Sequence, residues 1–317
     1  MNPYSYTEKK DTRSGFGAGL MLAAQELPQV VALCADLTGS VKMDAFAKAY
    51  PERFFQVGIA EANMISIAAG MAVAGKIPFT GTFAEFSTGR VYDQIRQSVA
   101  YTGANVKIYA PHAGLTVGED GATHQALEDL GMMRMMPGMT VVHPCDYNQA
   151  VQAVVAVAKH EGPVYLRCGR PTVPNFTPAD QKFEIGKGYV LREGNDVTLI
   201  TMGHLVWPVL EAASVLDEKG VHAEVINMAT LKPLDEECVL RSVRKTGCIL
   251  TCEEHQINGG LGDAVAQLLV HKYPAPMEML GVNDQFGQSG QPQELLDFYG
   301  LNVEGIVNRV MTLRGRL

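Results

Sequence analysis

The chain of 317 residues carries a formal net charge of −8 at pH 7, with 47% hydrophobic and 19% charged residues. This composition is typical of a globular protein of about two domains, and its negative charge argues against nucleic acid or an anionic membrane as the main partner. The sequence shows no transmembrane stretch, no apolar signal-peptide core and six scattered cysteines without a CxxC motif, all of which favour a cytoplasmic protein with reduced thiols.

Short β-branched runs alternate with helical patterns along the first half of the chain. The predicted strands are Val30–Asp36, Phe54–Val57, Pro78–Phe83, Val106–Pro111, Thr140–Pro144 and Val164–Cys168. The predicted helices are Gly17–Leu27, Asp44–Ala49, Glu61–Ala74, Arg90–Tyr101, Gln125–Met135 and Tyr147–Lys159. Nearly continuous apolar strands that alternate with helices indicate a parallel sheet covered on both faces.

The pattern breaks at RPTVPNFTPADQKFEIGK (170–187), whose three prolines and missing helical period indicate a linker. A second alternating unit follows, with strands predicted at Val197–Thr201, His222–Asn227, Cys248–Cys252 and Met277–Gly281. Its predicted helices are Val206–Lys219, Glu236–Lys245, Gly262–Val270, Gln293–Tyr299 and Val303–Leu313. We therefore predict an α/β protein of two doubly wound domains with mainly parallel sheets, at residues 1–175 and 190–317, joined by a linker at 176–189.

Polar clusters follow four predicted strands: CADLTGS, GTFAEFSTGR, APHAGLTVGEDGATHQALED and VYLRCGRP. Because the carboxyl ends of parallel strands meet at one edge of a sheet, these clusters predict a substrate site there. Taken singly, each cluster has a plainer explanation: Asp36 can cap a helix, and Phe83 and Phe86 can be core residues. The sequence holds no GxxxxGK[ST] loop, no HExxH motif and no dense Cys/His cluster, which removes the main support for a self-contained NTPase or a zinc hydrolase.

Four motifs in order carry a family resemblance: GIAEANM (58–64), GTFAEFSTGRVYDQIR (81–96), GLTVGEDGATHQALEDL (114–130) and LKPLDEE (231–237). From about Arg13 to the C-terminus, the chain resembles the C-terminal half of transketolase, which consists of a pyrimidine-binding domain and a C-terminal domain. The pair GIAE-x-NM and GEDG-x-THQ is far more specific than either motif alone.

The family has an upstream domain that binds the diphosphate of thiamine diphosphate and its Mg²⁺ through a GDG motif and a later asparagine. This sequence has GEDGA and LGDAV but lacks that pattern. The resemblance therefore implies one subunit of a split transketolase, whose partner is an N-terminal-type subunit carrying the diphosphate and Mg²⁺ site. It also implies an assembly of two such chains with two partners, a heterotetramer.

The resemblance assigns cofactor contacts to individual residues. Glu61 matches the glutamate that hydrogen-bonds a ring nitrogen of the cofactor's aminopyrimidine, and Phe83 and Phe86 match aromatic residues around that ring. The family's next aromatic residue is replaced by Gly89, so part of the cage must come from elsewhere. Asp36 matches an acid that lines the cofactor and donor-substrate site.

The resemblance also assigns substrate contacts. The residues that match contacts to the sugar hydroxyls, with roles in proton transfer, are His112, Asp120 and His124. The residues that match a cluster holding the acceptor's phosphate are Arg13, Ser40 and Arg170, with Arg167 as a second arginine there. A sulfonate or a carboxylate can exploit the same cations, so the sequence leaves the anion open.

The implied activity is transfer of a two-carbon glycolaldehyde unit from a ketose phosphate to an aldose phosphate, a reaction of pentose phosphate metabolism. For cofactor activation the Glu61 carboxyl must share a proton with the ring, and its apolar neighbours disfavour the ionised form. Histidines titrate near neutral pH and therefore suit the later proton transfers.

Three alternatives stay open. The β subunit of a 2-oxo-acid dehydrogenase has the same two domains, although GEDG-x-THQ and the phosphate cluster favour transketolase. A relative that acts on pyruvate and glyceraldehyde phosphate is normally one longer chain. A non-catalytic assembly subunit of the same fold is the third alternative, and intact Glu61, His112 and His124 argue against it.

Overall fold

The computed structural model describes residues 2–316, and within them the strands form three sheets. The largest sheet has seven strands in the order β12-β6-β7-β5-β4-β2-β3, and it is parallel except for β12, which runs antiparallel to β6. Its strands are β2 (Val30–Cys34), β3 (Phe54–Gln56), β4 (Ile77–Gly81), β5 (Lys107–Ala110), β6 (Thr140–Val142), β7 (Val164–Arg167) and β12 (Thr230–Lys232).

The second sheet has five strands in the order β14-β13-β10-β11-β9, and it is parallel except for the edge strand β9. Its strands are β9 (Tyr189–Arg192), β10 (Val197–Thr201), β11 (Ala223–Asn227), β13 (Ile249–Gln256) and β14 (Met277–Val282). A small antiparallel pair joins β1 (Lys9–Asp11) to β8 (Thr172–Pro174). The predicted α/β architecture with mainly parallel sheets is confirmed.

Helices cover the faces of both sheets. They are α1 (Thr12–Glu26), α2 (Asp44–Ala49), α3 (Glu61–Val73), α4 (Tyr92–Gln94), α5 (Asp129–Met135), α6 (Tyr147–Lys159), α7 (Val206–Glu218), α8 (Glu236–Thr246), α9 (Leu261–Lys272), α10 (Pro292–Phe298) and α11 (Val303–Arg314). A π-helical segment, Ile95–Ala100, continues α4. No helix among the described residues is long and apolar enough to cross a membrane.

Helix α1 begins earlier than the predicted Gly17. Asp11 caps it, since its Oδ1 accepts a hydrogen bond of 2.9 Å from the Ser14 N–H. A Cβ on Gly15 would lie 2.5 Å from the Tyr147 carbonyl oxygen, so the absent side chain lets α1 pack closely on α6. This packing fixes Arg13 in the first turn of α1, next to the sheet edge.

One further prediction of the elements was wrong. Residues 125–128 are not helical, and α5 begins only at Asp129, because the backbone of Ala126 forms a β-bridge with Ala113 and its carbonyl accepts the Gly114 N–H. The proline-rich stretch 170–187 contains β8, and β12 crosses from the second half of the chain into the first sheet. The two halves also share one apolar core, so they pack as a unit. The division at residues 176–189 stays a prediction.

Candidate functional site

The site lies at the carboxyl edge of the first sheet, where four strands end side by side. Asp36 follows β2, Phe83 follows β4, His112 follows β5 and Arg170 follows β7. Asp36 and His112 both have a φ of 59°, a left-handed backbone that is uncommon for residues other than glycine and is enriched at functional sites. The sheet therefore brings the predicted strand-end clusters to one edge.

Glu61 begins α3, where the helix dipole favours a negative charge. Glu61 is only 5% exposed, and its Oε1 lies 2.8 Å from Nη1 of Arg90. The Arg90 guanidinium also lies 4.2 Å from the centre of the Phe86 ring. Sequence reasoning missed Arg90, which directly follows Gly89, the position of the missing aromatic residue.

Four rings connect Glu61's surroundings to the substrate side of the site. Phe83 lies 6.1 Å from Phe86 and stacks on His112 at 3.8 Å, measured between ring centres. The His124 ring meets Phe86 edge-on at 5.3 Å. These contacts bring together the two predicted aromatic residues and both predicted histidines.

His112 is a neutral hydrogen-bond donor in this arrangement. Its Nε2 lies 3.1 Å from Nη1 of Arg13, and because a guanidinium only donates, Nε2 must accept and the ring proton must sit on Nδ1. Nδ1 is buried and has no partner within residues 2–316. Burial, followed by the charges of Arg13 and Arg170, lowers the pKa of His112 to about 3.

Most of the nitrogen atoms of Arg13 contact neighbouring residues. Its Nη1 donates to the Ser40 carbonyl at 3.2 Å and to His112, its Nη2 donates to the Arg170 carbonyl at 3.0 Å, and its Nε lies 3.3 Å from Asp11. Ser40 thus contacts Arg13 through its backbone, and its own side chain faces solvent. Arg13 holds three loops of the site together.

Arg170 is more accessible, with 37% of its side chain exposed. Its Nη1 donates to the Val117 carbonyl and, at 2.8 Å, to the Glu119 carboxylate. The positive charges of Arg13, Arg170 and Lys42 all disfavour a second proton on His112.

Arg167 does not belong to this anion cluster, and the predicted role as a second phosphate-binding arginine is wrong. Its side chain is 1% exposed, and its Nε lies 2.7 Å from the equally buried carboxylate of Asp129. Its Nη2 donates to the backbone carbonyls of Ala126 and Glu254. With its guanidinium buried in these contacts, Arg167 stabilises the contact between the two halves of the chain.

Asp36 and Asp120 remain on the rim of the site. Asp36 is exposed, and its backbone N–H donates to the Gln56 side chain at 2.7 Å. Asp120 is exposed in the loop that ends at His124. No cluster of three or more His, Cys, Asp or Glu side chains within residues 2–316 is arranged to hold a metal ion.

The sequence of this chain matches two known families of protein domains. A family described as transketolase, pyrimidine binding domain, matches residues 8–175, and one described as transketolase, C-terminal domain, matches residues 186–306. This chain belongs to the transketolase family. The family resemblance drawn from the four motifs is thereby confirmed.

Several similar proteins are matched by this chain over most of their own length. A "putative transketolase C-terminal section" of Methanocaldococcus jannaschii is 44% identical over 95% of this chain and 96% of its own length. A 6-deoxy-6-sulfo-D-fructose transketolase subunit of Clostridium sp. (strain MSTE9) is 43% identical over 91% of this chain and 89% of its own. A solved structure described as a split gene transketolase, inactive beta4 tetramer, has 48% identity and a TM-score of 0.91 over 96% of this chain and 98% of that one.

Proposed function

We propose that this chain is the C-terminal-type subunit of a split, thiamine diphosphate-dependent transketolase that transfers a two-carbon glycolaldehyde unit from a ketose phosphate to an aldose phosphate. When bound, thiamine diphosphate would supply the electron sink needed to break a carbon–carbon bond next to a carbonyl group. The observation that carries the proposal is the buried Glu61 side chain, which pairs with Arg90 where that guanidinium lies over the Phe86 ring.

The residues around Glu61 fit an aminopyrimidine ring. The Arg90 guanidinium is flat, carries N–H donors, lies over Phe86 and bonds Glu61, so it stands in for a flat nitrogen-containing ring. In our proposal Glu61 would release Arg90 and hold a nitrogen of that ring instead. There the Glu61 carboxyl would hydrogen-bond the ring nitrogen and act in proton transfer with it.

The two histidines have different roles in this proposal. His112 presents Nδ1–H as a donor to a sugar oxygen, because its Nε2 is occupied by Arg13. His124 is only partly buried and lies at the edge of Phe86. We assign to His124 the removal and return of the sugar hydroxyl proton, and to Asp120 a hydrogen bond to a further hydroxyl.

Arg170 is the main contact for the substrate's anion in this proposal, and Arg13 orients it through the Arg170 carbonyl. A guanidinium pairs with phosphate through charge-assisted, bidentate bonds. We propose phosphate as that anion. The relative described as a sulfo-fructose transketolase subunit makes sulfonate the competing choice.

The partner surface in this proposal includes α3. This helix is apolar nearly all round, yet Ile59 before it is 78% exposed and Val73 at its end is 83% exposed. A helix of this kind normally lies in a buried environment. A chain that covered α3 would also close the site over Glu61, and we infer that the N-terminal-type subunit does so and brings the diphosphate and Mg²⁺ ligands, in an assembly of two plus two.

The test uses this chain, an N-terminal-type transketolase subunit from the same organism, and their mixture. Each is assayed with a panel of ketose and aldose phosphates in the presence of thiamine diphosphate and Mg²⁺. We expect two-carbon transfer from the mixture alone. Pyruvate decarboxylation by the mixture would indicate a 2-oxo-acid dehydrogenase-type subunit, and a mixture inactive with every donor would indicate an assembly subunit; either result refutes the proposal.

A further inference from the structure

The loop of residues 114–125 carries both Asp120 and His124, and its backbone cannot support itself as regular structure. Gly114, Gly118 and Gly121 have φ values of 83°, 86° and 75°, and the short 3₁₀ turns between them are interrupted at Gly118. A backbone of this kind needs contacts from outside the loop to hold one conformation.

Glu254 supplies such a contact from the second half of the chain. It lies near the end of β13, is 5% exposed, and accepts the Thr116 N–H through Oε1. A Cβ on Gly114 would lie 2.4 Å from the same Oε1, so the carboxylate fills the space that the glycine leaves open. Hydrogen bonds from a backbone N–H to a carboxylate are among the stronger ones in proteins.

Gln125 ties the other end of the loop to the same half of the chain. Its Nε2, with two N–H donors, lies 3.0 Å from the Leu115 carbonyl, 3.3 Å from that of Gly118 and 3.0 Å from that of Gln288, so at least one N–H is shared between two acceptors. The first two acceptors belong to the loop, and Gln288 belongs to the segment before α10. One amide therefore joins the two ends of the loop and fastens them to the second half.

Arg167 holds the backbone of Glu254 in place. Its Nη2 donates to the Glu254 carbonyl at 3.0 Å and to the Ala126 carbonyl at 3.2 Å, directly after the loop. Asp129 in turn fixes the guanidinium. The strand that bears Glu254 and the residue that ends the loop are thus held by one buried cation.

We propose that Glu254 is a positioning residue for the sugar site: its carboxylate, contributed by the second half of the chain, holds the 114–125 loop so that Asp120 and His124 face the substrate. The positioning of the loop stands on the contacts alone. The consequence for sugar binding rests on the function proposed above.

The chain offers a matched control in the neighbouring Glu253. This residue is 1% exposed on the same strand, but its carboxylate accepts the N–H groups of Leu261 and Gly262, within its own half. Glu254→Asp and Glu253→Asp each withdraw a buried carboxylate by one methylene group. Glu254→Gln keeps the length and the acceptor oxygen and tests for rescue.

Hydrogen exchange of the isolated full chain measures positioning without any assay of activity. We expect exchange at residues 114–125 to rise about tenfold or more in Glu254→Asp. Glu254→Gln is expected to stay near the wild type. Glu253→Asp is expected to accelerate exchange only around residues 259–264. Unchanged exchange of the loop in Glu254→Asp, or an equal rise in Glu253→Asp, would overturn the proposal.

Kinetics of the assembled complex test the consequence. Glu254→Asp should raise the KM for the sugar phosphates by about tenfold, the size of effect expected from one displaced contact, and leave the affinity for thiamine diphosphate within about twofold. Glu253→Asp should change neither. Equal KM changes in both variants, or no change in Glu254→Asp, would refute the positioning role in a complex that is active. Inactivity of the wild-type complex would instead refute the proposed function, and the exchange result would then stand alone.

Discussion

The Arg90 guanidinium lies 2.8 Å from the Glu61 carboxylate and 4.2 Å from the centre of the Phe86 ring. One flat cation therefore occupies both surfaces that we assign to the aminopyrimidine of thiamine diphosphate. The neighbouring residue, Gly89, has no aromatic ring that could pack against the aminopyrimidine. In our proposal Arg90 therefore competes with the aminopyrimidine for the Glu61 carboxylate.

Arg90→Ala should bind thiamine diphosphate more tightly. Half of the Arg90 side chain is exposed, so its ion pair is worth about 0.5–1 kcal/mol and its loss should tighten binding by about two- to fivefold. Calorimetric titration of the assembled complex with thiamine diphosphate measures this. Weaker binding would show instead that Arg90 stays in place and contacts the bound aminopyrimidine ring.

Arg170→Ala should raise the KM for aldose phosphates while kcat changes little, because the lost charge-assisted contact lies away from the reacting carbon. We expect a rise of about ten- to a hundredfold, corresponding to about 1.5–3 kcal/mol. Steady-state kinetics with an aldose phosphate and the matching unphosphorylated aldose provide the comparison. An equal rise in KM for both sugars would contradict an anion contact.

Arg167→Ala should destabilise the chain rather than weaken substrate binding. It leaves the buried Asp129 carboxylate without its cation, which typically costs about 3–5 kcal/mol. Urea unfolding measures the loss, with Arg170→Ala as the exposed arginine for comparison. A stable Arg167→Ala chain with a selectively raised KM for phosphate sugars would restore the phosphate-binding role.

Much of the site could be predicted because parallel strands end at one edge. That rule alone groups the segments of Asp36, Phe83, His112 and Arg170. Arg167 was misjudged because sequence does not show which side chain at a strand end turns inward to meet Asp129. Arg90 and Glu254 were missed because their partners, Glu61 and Thr116, lie 29 and 138 residues away in the chain.

His112 should stay neutral from about pH 5 to pH 9. Its pKa is lowered to about 3, so the ring releases its proton far below the usual histidine range near 6.5. NMR titration of histidines labelled at Cε1, with His112→Asn to assign the signal, measures this. A His112 midpoint between pH 6 and 7 would contradict the burial and the Arg13 contact described here.

Glu61→Gln in the assembled complex tests the central claim most directly, since it keeps the size and hydrogen bonding of the side chain and removes its ability to share a proton. We expect glycolaldehyde transfer to fall by about a hundredfold or more, while thiamine diphosphate still binds within about tenfold of the wild-type affinity. Turnover near the wild-type rate with cofactor bound would contradict the role of Glu61, and with it the mechanism proposed for this chain.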